Sequence, residues 1–284
     1  MTKASDIARD HYQAAIVDPD ALIADIERAL DALGSPISAA RLAGFDQFHV
    51  GALQATVELA RLAGISADWR VLDAGSGLGG PSRYLAEAFG CRVSGVDIAP
   101  AYVRVAQLLA GRAGLSQLLT YQTGSIADLP FDDAEFDLVW TQHVVMNIPE
   151  RDALYRELRR VLKAGGRLAF YDPYVPDHGE PLVYPTPWAE SAETSTLLTQ
   201  AATTRALEGA GFAVGCWNDV TDLATTWFAE QRLRIQGANP GTGGVHTLST
   251  ATVVGPRMPT MLANLAQNLA QGRVRFVMGL CAAV

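Results

Sequence analysis

Apolar residues recur along this 284-residue chain in two textures. From Ser5 to about Leu33, the residues Ile7, Ile16, Leu22, Ile23, Ile26, Leu30 and Leu33 fall at helical spacing, broken at Asp18-Pro19, which predicts two short helices. Gly34-Ser35-Pro36 ends that pattern, and Leu53, Val57, Leu59 and Leu62 predict a further helix from about Val50 to Gly64. After Trp69 short apolar runs alternate with helical stretches. Strands are expected at Arg70 to Ala74, Arg92 to Val96, Leu118 to Gln122, Phe136 to Thr141 and Arg167 to Tyr171. Helices are expected at Pro81 to Phe89, Pro100 to Ala113 and about Glu150 to Leu162, with a turn at Ala164-Gly165-Gly166. Such alternation specifies a parallel sheet covered by helices. A helix near Thr199 to Ala210, a strand at Phe212 to Trp217 and the apolar run Val274 to Leu280 complete seven strands. The expected fold class is α/β, a doubly wound, seven-stranded, mostly parallel sheet. Residues 1–66 are expected to form an N-terminal helical lid and 67–284 a single domain. Two stretches, about 172–195 and 221–272, exceed the minimal alternation and read as cap insertions over the ligand-binding edge of the sheet.

Composition narrows the function classes. A hydrophobic content of 49% supports a sizeable core, and a net charge of -8 with pI near 5.1 argues against nucleic acid as a partner, since phosphate recognition needs a basic face. Cys91, Cys216 and Cys281 are far apart and form no C-x-x-C pair, so no metal site is expected and a reducing cytoplasm fits best. Lys3, Asp6, Arg9 and Asp10 leave no apolar core for a signal peptide near the amino end. No run approaches the roughly 18 apolar residues of a membrane span. A cytoplasmic protein with a small-molecule partner, monomeric or homodimeric, is the expectation.

Val71-Leu72-Asp73-Ala74-Gly75-Ser76-Gly77-Leu78-Gly79-Gly80 reads as a strand running into a glycine loop. Gly75 to Gly80 also satisfies G-x-G-x-x-G, so a nicotinamide dinucleotide is a competing ligand. Glycine suits both, because the backbone must turn tightly where a Cβ would collide with the ligand. Asp73 separates them, since a carboxylate at the strand end would repel a pyrophosphate but suit an ammonium group. Asp97 ends the next strand, where it could accept hydrogen bonds from both ribose hydroxyls or cap the helix that follows.

Taken together these residues resemble the class I S-adenosylmethionine-dependent methyltransferases, closely from Trp69 to about Asp172 and more loosely beyond. Leu129-Pro130-Phe131, Phe136-Asp137-Leu138-Val139-Trp140 and Leu162-Lys163-x-Gly165-Gly166-Arg167-Leu168 follow the glycine loop in that family's order and spacing. The resemblance implies a Rossmann-like methyltransferase fold, S-adenosylmethionine as cofactor and S-adenosylhomocysteine as product. It also implies a cofactor site at Asp73, Gly75, Ser76, Gly77, Gly79, Asp97 and Ile98, with Ser125 and Ile126 along the adenine. Many members carry an acidic residue where Ser125 stands.

Trp140 to Pro149 follows the fourth strand as the richest polar cluster in the chain. With Asp46-Gln47-Phe48-His49-Val50-Gly51 it is similar to the small-molecule branch that includes glycine, sarcosine and dimethylglycine N-methyltransferases and related tocopherol and sterol enzymes. That likeness adds Gln47 and Gln142 to the cofactor residues and implies a closing N-terminal segment, with Tyr12 and His49 on its substrate side. His143 is the candidate general base for a phenol, carboxylate or thiol, or else a histidine hydrogen-bonded at the strand end. Asn147 would orient substrate or cap the helix near Pro149. Tyr171, Tyr184, Trp188 and His246 could hold a cationic amine or an apolar chain, or simply pack the core. Met258, Met261, Leu262, Leu265 and Leu269 read as a packing helix. The expected reaction is methyl transfer to a small molecule, with an amine nitrogen slightly favoured. C- or O-methylation of a larger natural product, an NAD-dependent oxidoreductase and a non-catalytic cofactor-binding protein are the alternatives.

Overall fold

The computed structural model describes residues 18–237 and 257–284, with no side-chain detail for 234–237. Three helices come first: α1 (Pro19–Leu33), α2 (Ala39–Asp46) and α3 (Ala52–Ala63). The Asp18-Pro19 break is the start of α1, where the Asp18 carboxylate accepts the backbone N–H groups of Asp20 and Ala21, each at 3.0 Å. The stretch before it lies outside the described residues. Helix α2 is an addition to the predicted elements.

The sheet elements then follow as β1 (Arg70–Ala74), α4 (Gly80–Phe89), β2 (Arg92–Asp97), α5 (Pro100–Arg112), β3 (Leu119–Thr123) and β4 (Phe136–Gln142). Next come α6 (Arg151–Val161), β5 (Leu162–Tyr174), α7 (Gln200–Gly209), β6 (Phe212–Asp219), α8 (Thr221–Gly237), α9 (Met258–Ala270) and β7 (Arg275–Ala283). They build one seven-stranded sheet in the order β3-β2-β1-β4-β5-β7-β6. Strands β1 to β5 pair in parallel, whereas β7 runs antiparallel to both β5 and β6. The sheet is therefore mostly parallel, as expected. The turn expected at Ala164-Gly165-Gly166 is instead an irregularity within β5, where the register against β4 shifts and Gly165 adopts φ 72°.

Both faces of the sheet are covered, which is why its strands read as continuous apolar runs rather than alternating ones. Val71 packs with Leu59, Leu85 and Val103 on one face, while its neighbour Leu72 packs with Leu154 and Leu158 on the other. A third cluster joins Ile26 and Leu30 of α1 and Leu42 and Phe45 of α2 to Tyr102, Val105 and Leu109 of α5. The first two helices are thus fixed against α5 on the β1–β3 half of the sheet.

Gly279 of β7 shows how closely the layers fit. A Cβ there would overlap the ring of Phe170 on β5. Gly279→Ala is expected to destabilise the protein by about 1–3 kcal/mol through overpacking, visible as a lower thermal midpoint.

The chain leaves β1 for β2 and β3 on one side, then crosses to β4 on the other. In an open sheet of this kind, ligands bind beyond the carboxyl ends of the strands at that reversal of order. Here those ends are Asp73-Ala74 of β1 and Thr141-Gln142 of β4.

Candidate active site

The glycine loop is fastened to the end of β2. Backbone N–H groups of Gly75 and Ser76 donate to the carbonyl of Val96 at 2.8 and 3.0 Å. Gly75, Gly77 and Gly79 adopt φ of 86°, 52° and 73°, the left-handed region where a side chain costs energy. A Cβ on Gly75 would also overlap the methyl groups of Val144, while one on Gly79 would lie 2.5 Å from the Tyr121 hydroxyl. The Asp97 carboxylate has two backbone ties. Its Oδ2 accepts the N–H of Gly77 at 2.8 Å and its Oδ1 that of Ala99 at 2.9 Å. Asp97 therefore both holds the loop and shapes the entry to α5, with lone pairs left on each oxygen for a ligand.

Two further carboxyls lie beneath the loop. Asp73 is buried and accepts the Ser82 hydroxyl at 2.5 Å; burial pushes it up to about 7 against that hydrogen bond. Asp46, at the end of α2, pairs with Arg83 of α4 at 2.5 Å, both side chains fully buried. Burial raises Asp46 to about 6 while Arg83 pulls it the other way. Arg83 also donates to the carbonyl of Leu78 at 2.7 Å, so one guanidinium links the N-terminal helices to the glycine loop.

The polar cluster expected after β4 is assembled with the Gln47–His49 segment. The Thr56 hydroxyl donates to Gln47 Oε1 at 2.8 Å, and Trp140 Nε1 donates to Gln142 Oε1 at 2.9 Å. His49 Nε2 lies 3.0 Å from Gln47 Oε1. These contacts engage the amide oxygens and leave Gln47 Nε2 and Gln142 Nε2 buried without a protein partner, as is Ser76 Oγ. His143, at a left-handed φ of 54°, stacks on Phe276 of β7 with ring centroids 5.4 Å apart, and its Nε2 is also unpartnered. Burial, and secondarily His49, hold its pKa well below 6.5, while burial takes His49 down to about 4. Both imidazoles are neutral near neutral pH.

A cavity of about 1700 Å³ opens above these groups. Asp73, Gly75, Ser76, Gly77, Asp97, Ile98, Ser125, Ile126, Gln142 and Gln47 all line it, as do His49, His143, Asn147 and Trp188. Gly79 does not; its place in the loop is explained by the approach of Tyr121. Tyr171 and Tyr184 are not on the wall either. Tyr171 is fully buried behind His143, its ring 4.7 Å away, and Tyr184 packs against the core. Tyr12 and His246 lie outside the described residues. Asn147 does not cap the next helix, which begins after Glu150; it ends a short 3-10 turn and donates to Val144 O at 3.0 Å. Among the described residues no cluster of three or more His, Cys, Asp or Glu could hold a metal, and no helix is long and apolar enough to cross a membrane.

Several wall residues went unpredicted. Asp128 lines the cavity three positions after Ser125, supplying an acidic group beside the turn where Ser125 itself accepts the Ala127 N–H. Trp227, Phe228 and Glu230 of α8 line it too, and so do Met258, Leu262, Leu265 and Leu269 of α9. That helix, read as packing, has a cavity-facing side. The site as a whole fits a ligand with a vicinal diol for Asp97, an ammonium for Asp73 and oxygen acceptors for the unpartnered amides.

Residues 72–170 match a family model described as a methyltransferase domain. Over 146 residues the chain is 34% identical to glycine/sarcosine/dimethylglycine N-methyltransferase of Actinopolyspora halophila, covering 47% of this chain and 26% of that protein. It is 37% identical over 99 residues to the chloroplastic tocopherol O-methyltransferase of Arabidopsis thaliana, covering 35% of this chain and 28% of the relative. A sterol 24-C-methyltransferase of Gibberella zeae is 37% identical over 114 residues, with 40% and 30% covered. The chain thus spans well under two thirds of the length of these relatives. Among solved structures, the geranyl diphosphate C-methyltransferase of Streptomyces coelicolor superposes with TM-score 0.67 at 18% identity over 100% of this chain and 99% of that one. The cyclase SpnF gives TM-score 0.67 at 19% identity over 99% and 96%. These two likenesses concern the fold.

Proposed function

We propose that the protein, whose residues 72–170 match a methyltransferase domain model, transfers a methyl group from S-adenosylmethionine to a small molecule. The observation that carries this is the Asp97–Gly77 tie, which brings a carboxylate and a left-handed glycine loop together at the reversal of strand order. When bound, S-adenosylmethionine supplies a methyl group on a sulfonium that is already a good leaving group, so most of the barrier reduction can come from alignment. Asp97 would hold the ribose hydroxyls, Asp73 the ammonium, and Ser76, Gln47 and Gln142 the remaining polar atoms. Asp128 would serve the adenine in place of Ser125. Residues 1–66 would act as the lid, with the end of α2 tied to the glycine loop through Arg83. Calorimetric titration with S-adenosylmethionine and NAD tests this reading; tight NAD binding with no response to S-adenosylmethionine overturns it.

A pH dependence accompanies it. Asp73 in the free protein is held near 7 chiefly by burial, and an ammonium beside it would favour the carboxylate. Binding therefore releases a proton below about pH 7, and affinity is expected to climb as pH rises from 5 to 7. It should fall again above about pH 8, where an α-amino group loses its charge. Calorimetry in buffers of different ionisation enthalpy would count the proton. An Asp73→Asn protein with the same slope between pH 5 and 7 would remove Asp73 from this role.

The acceptor is the finer question. Nitrogen, oxygen and carbon methyltransferases all stand among the relatives, so the slight preference for an amine gains nothing from them. The apolar walls contributed by α8 and α9 favour instead C- or O-methylation of a larger molecule. His143, neutral and with its Nε2 unpartnered, could accept a proton from such an acceptor without first losing one, though weakly.

A further inference from the structure

Resting on the proposed methyl transfer, we infer that the acceptor is a chiefly hydrocarbon molecule of polycyclic or long-chain size that carries no anionic group, not an amino acid or a diphosphate ester. Size is the first ground. A single drug-sized ligand fills at most roughly 1000 Å³, and the cavity measures about 1700 Å³. Subtracting one cofactor leaves on the order of 700 Å³, far more than glycine or sarcosine needs.

Charge is the second, independent ground. An anionic acceptor taken from water needs cationic partners in the site, or its burial is costly. Beyond the carboxylates assigned to the cofactor, the titratable wall is acidic instead, with Glu150 beside α6 and Glu230 on α8. The described wall has one basic side chain, Arg232, exposed on α8. Neither His49 nor His143 adds positive charge near neutral pH.

The third ground is the far wall itself. Trp227, Phe228, Met258, Leu262 and Leu265 present aromatic and aliphatic surface to the cavity, and the buried Trp188 lines it as well. Such a surface gains free energy from hydrocarbon and offers a carboxylate or diphosphate no cationic partner.

The test is binding to protein saturated with S-adenosylhomocysteine, whose own affinity is measured first by calorimetry. Failure of that first step would count against the cofactor, not against the acceptor class. Nile red, a neutral polycyclic dye, is then titrated by fluorescence and displaced with estradiol, sarcosine or geranyl diphosphate. The expected result is saturable dye binding, displacement by estradiol alone, and at least about tenfold weaker dye binding in Leu262→Glu with unchanged S-adenosylhomocysteine affinity. Ala266→Trp fills the same wall without adding charge, so a Leu262→Glu protein that fails to fold does not end the test. Dye affinity unchanged in Ala266→Trp, or sarcosine or geranyl diphosphate displacing the dye better than estradiol, overturns the inference. A methyl-label assay across the same compounds gives the second readout, with transfer to sarcosine above that to neutral compounds again overturning it.

Discussion

Arg83→Met should destabilise the folded protein by about 3–5 kcal/mol, the usual cost of removing one partner from a fully buried ion pair. The loss has two parts. Asp46 would remain fully buried at the end of α2 with its charge uncompensated or its carboxyl protonated, and one of its oxygens, Oδ1, already lacks a partner. The carbonyl of Leu78 would lose its hydrogen bond in the middle of the glycine loop. Geometry leaves little room for repair, since a Cβ on Gly80 would come within 2.5 Å of the Asp46 carbonyl oxygen. Urea unfolding of Arg83→Met, Asp46→Asn and the double variant measures the coupling. The double variant should be more stable than the sum of the single losses predicts, because neither charge is then stranded. Single losses below about 1 kcal/mol would show that the pair contributes little. Cofactor affinity should fall as well in Arg83→Met, because the loop and the N-terminal helices lose the guanidinium that joins them.

Asp97→Ala should weaken S-adenosylmethionine binding by about 2–3 kcal/mol, or roughly 30- to 150-fold in dissociation constant. Hydrogen bonds to a charged acceptor are the strong kind, and here they fall into two sets. The proposed bonds from the ribose would be lost directly, and the N–H groups of Gly77 and Ala99 would lose the carboxylate that orders the loop before the ligand arrives. Thermal stability should change less than affinity, since burial already disfavours the charged form of Asp97. Calorimetry at fixed pH reads the first effect and a thermal scan the second. An affinity within threefold of the parent protein would move the ribose site elsewhere.

Much of this site could be read from local pattern. The strand-to-loop segment around Asp73, the strand-end Asp97 and the Gln142–His143 pair lie within short stretches whose spacing specifies their place at the carboxyl edge of the sheet. What local pattern does not contain is contact between distant segments. Helix α2 has only eight residues, and its start signal, Ser38 accepting the Arg41 N–H, is a weak one. Asp46 and Arg83 stand 37 positions apart, so their pairing appears only once α2 meets α4. The periodicity of α9 identifies a helix with one apolar side, yet whether that side meets core or cavity depends on what lies across from it. The electrostatic contrast drawn from Asp73 is also altered by the structure. Near pH 7 its carboxyl is only partly ionised, so repulsion of a pyrophosphate is a weaker discriminator than the family match over residues 72–170.

The antiparallel placement of β7 has a consequence for how such a protein could change its chemistry. Asp219 pairs with Val277, and the Val220 N–H donates to the Phe276 carbonyl at 2.9 Å, so the stretch carrying α8 and α9 leaves and rejoins the sheet at one point. Its two ends are already held together, and replacing it with a stretch of different length would cost little loop-closure entropy. Acceptor preference could be rewritten by substituting that one insert, with the glycine loop, Asp73 and Asp97 on the opposite half of the sheet left as they are.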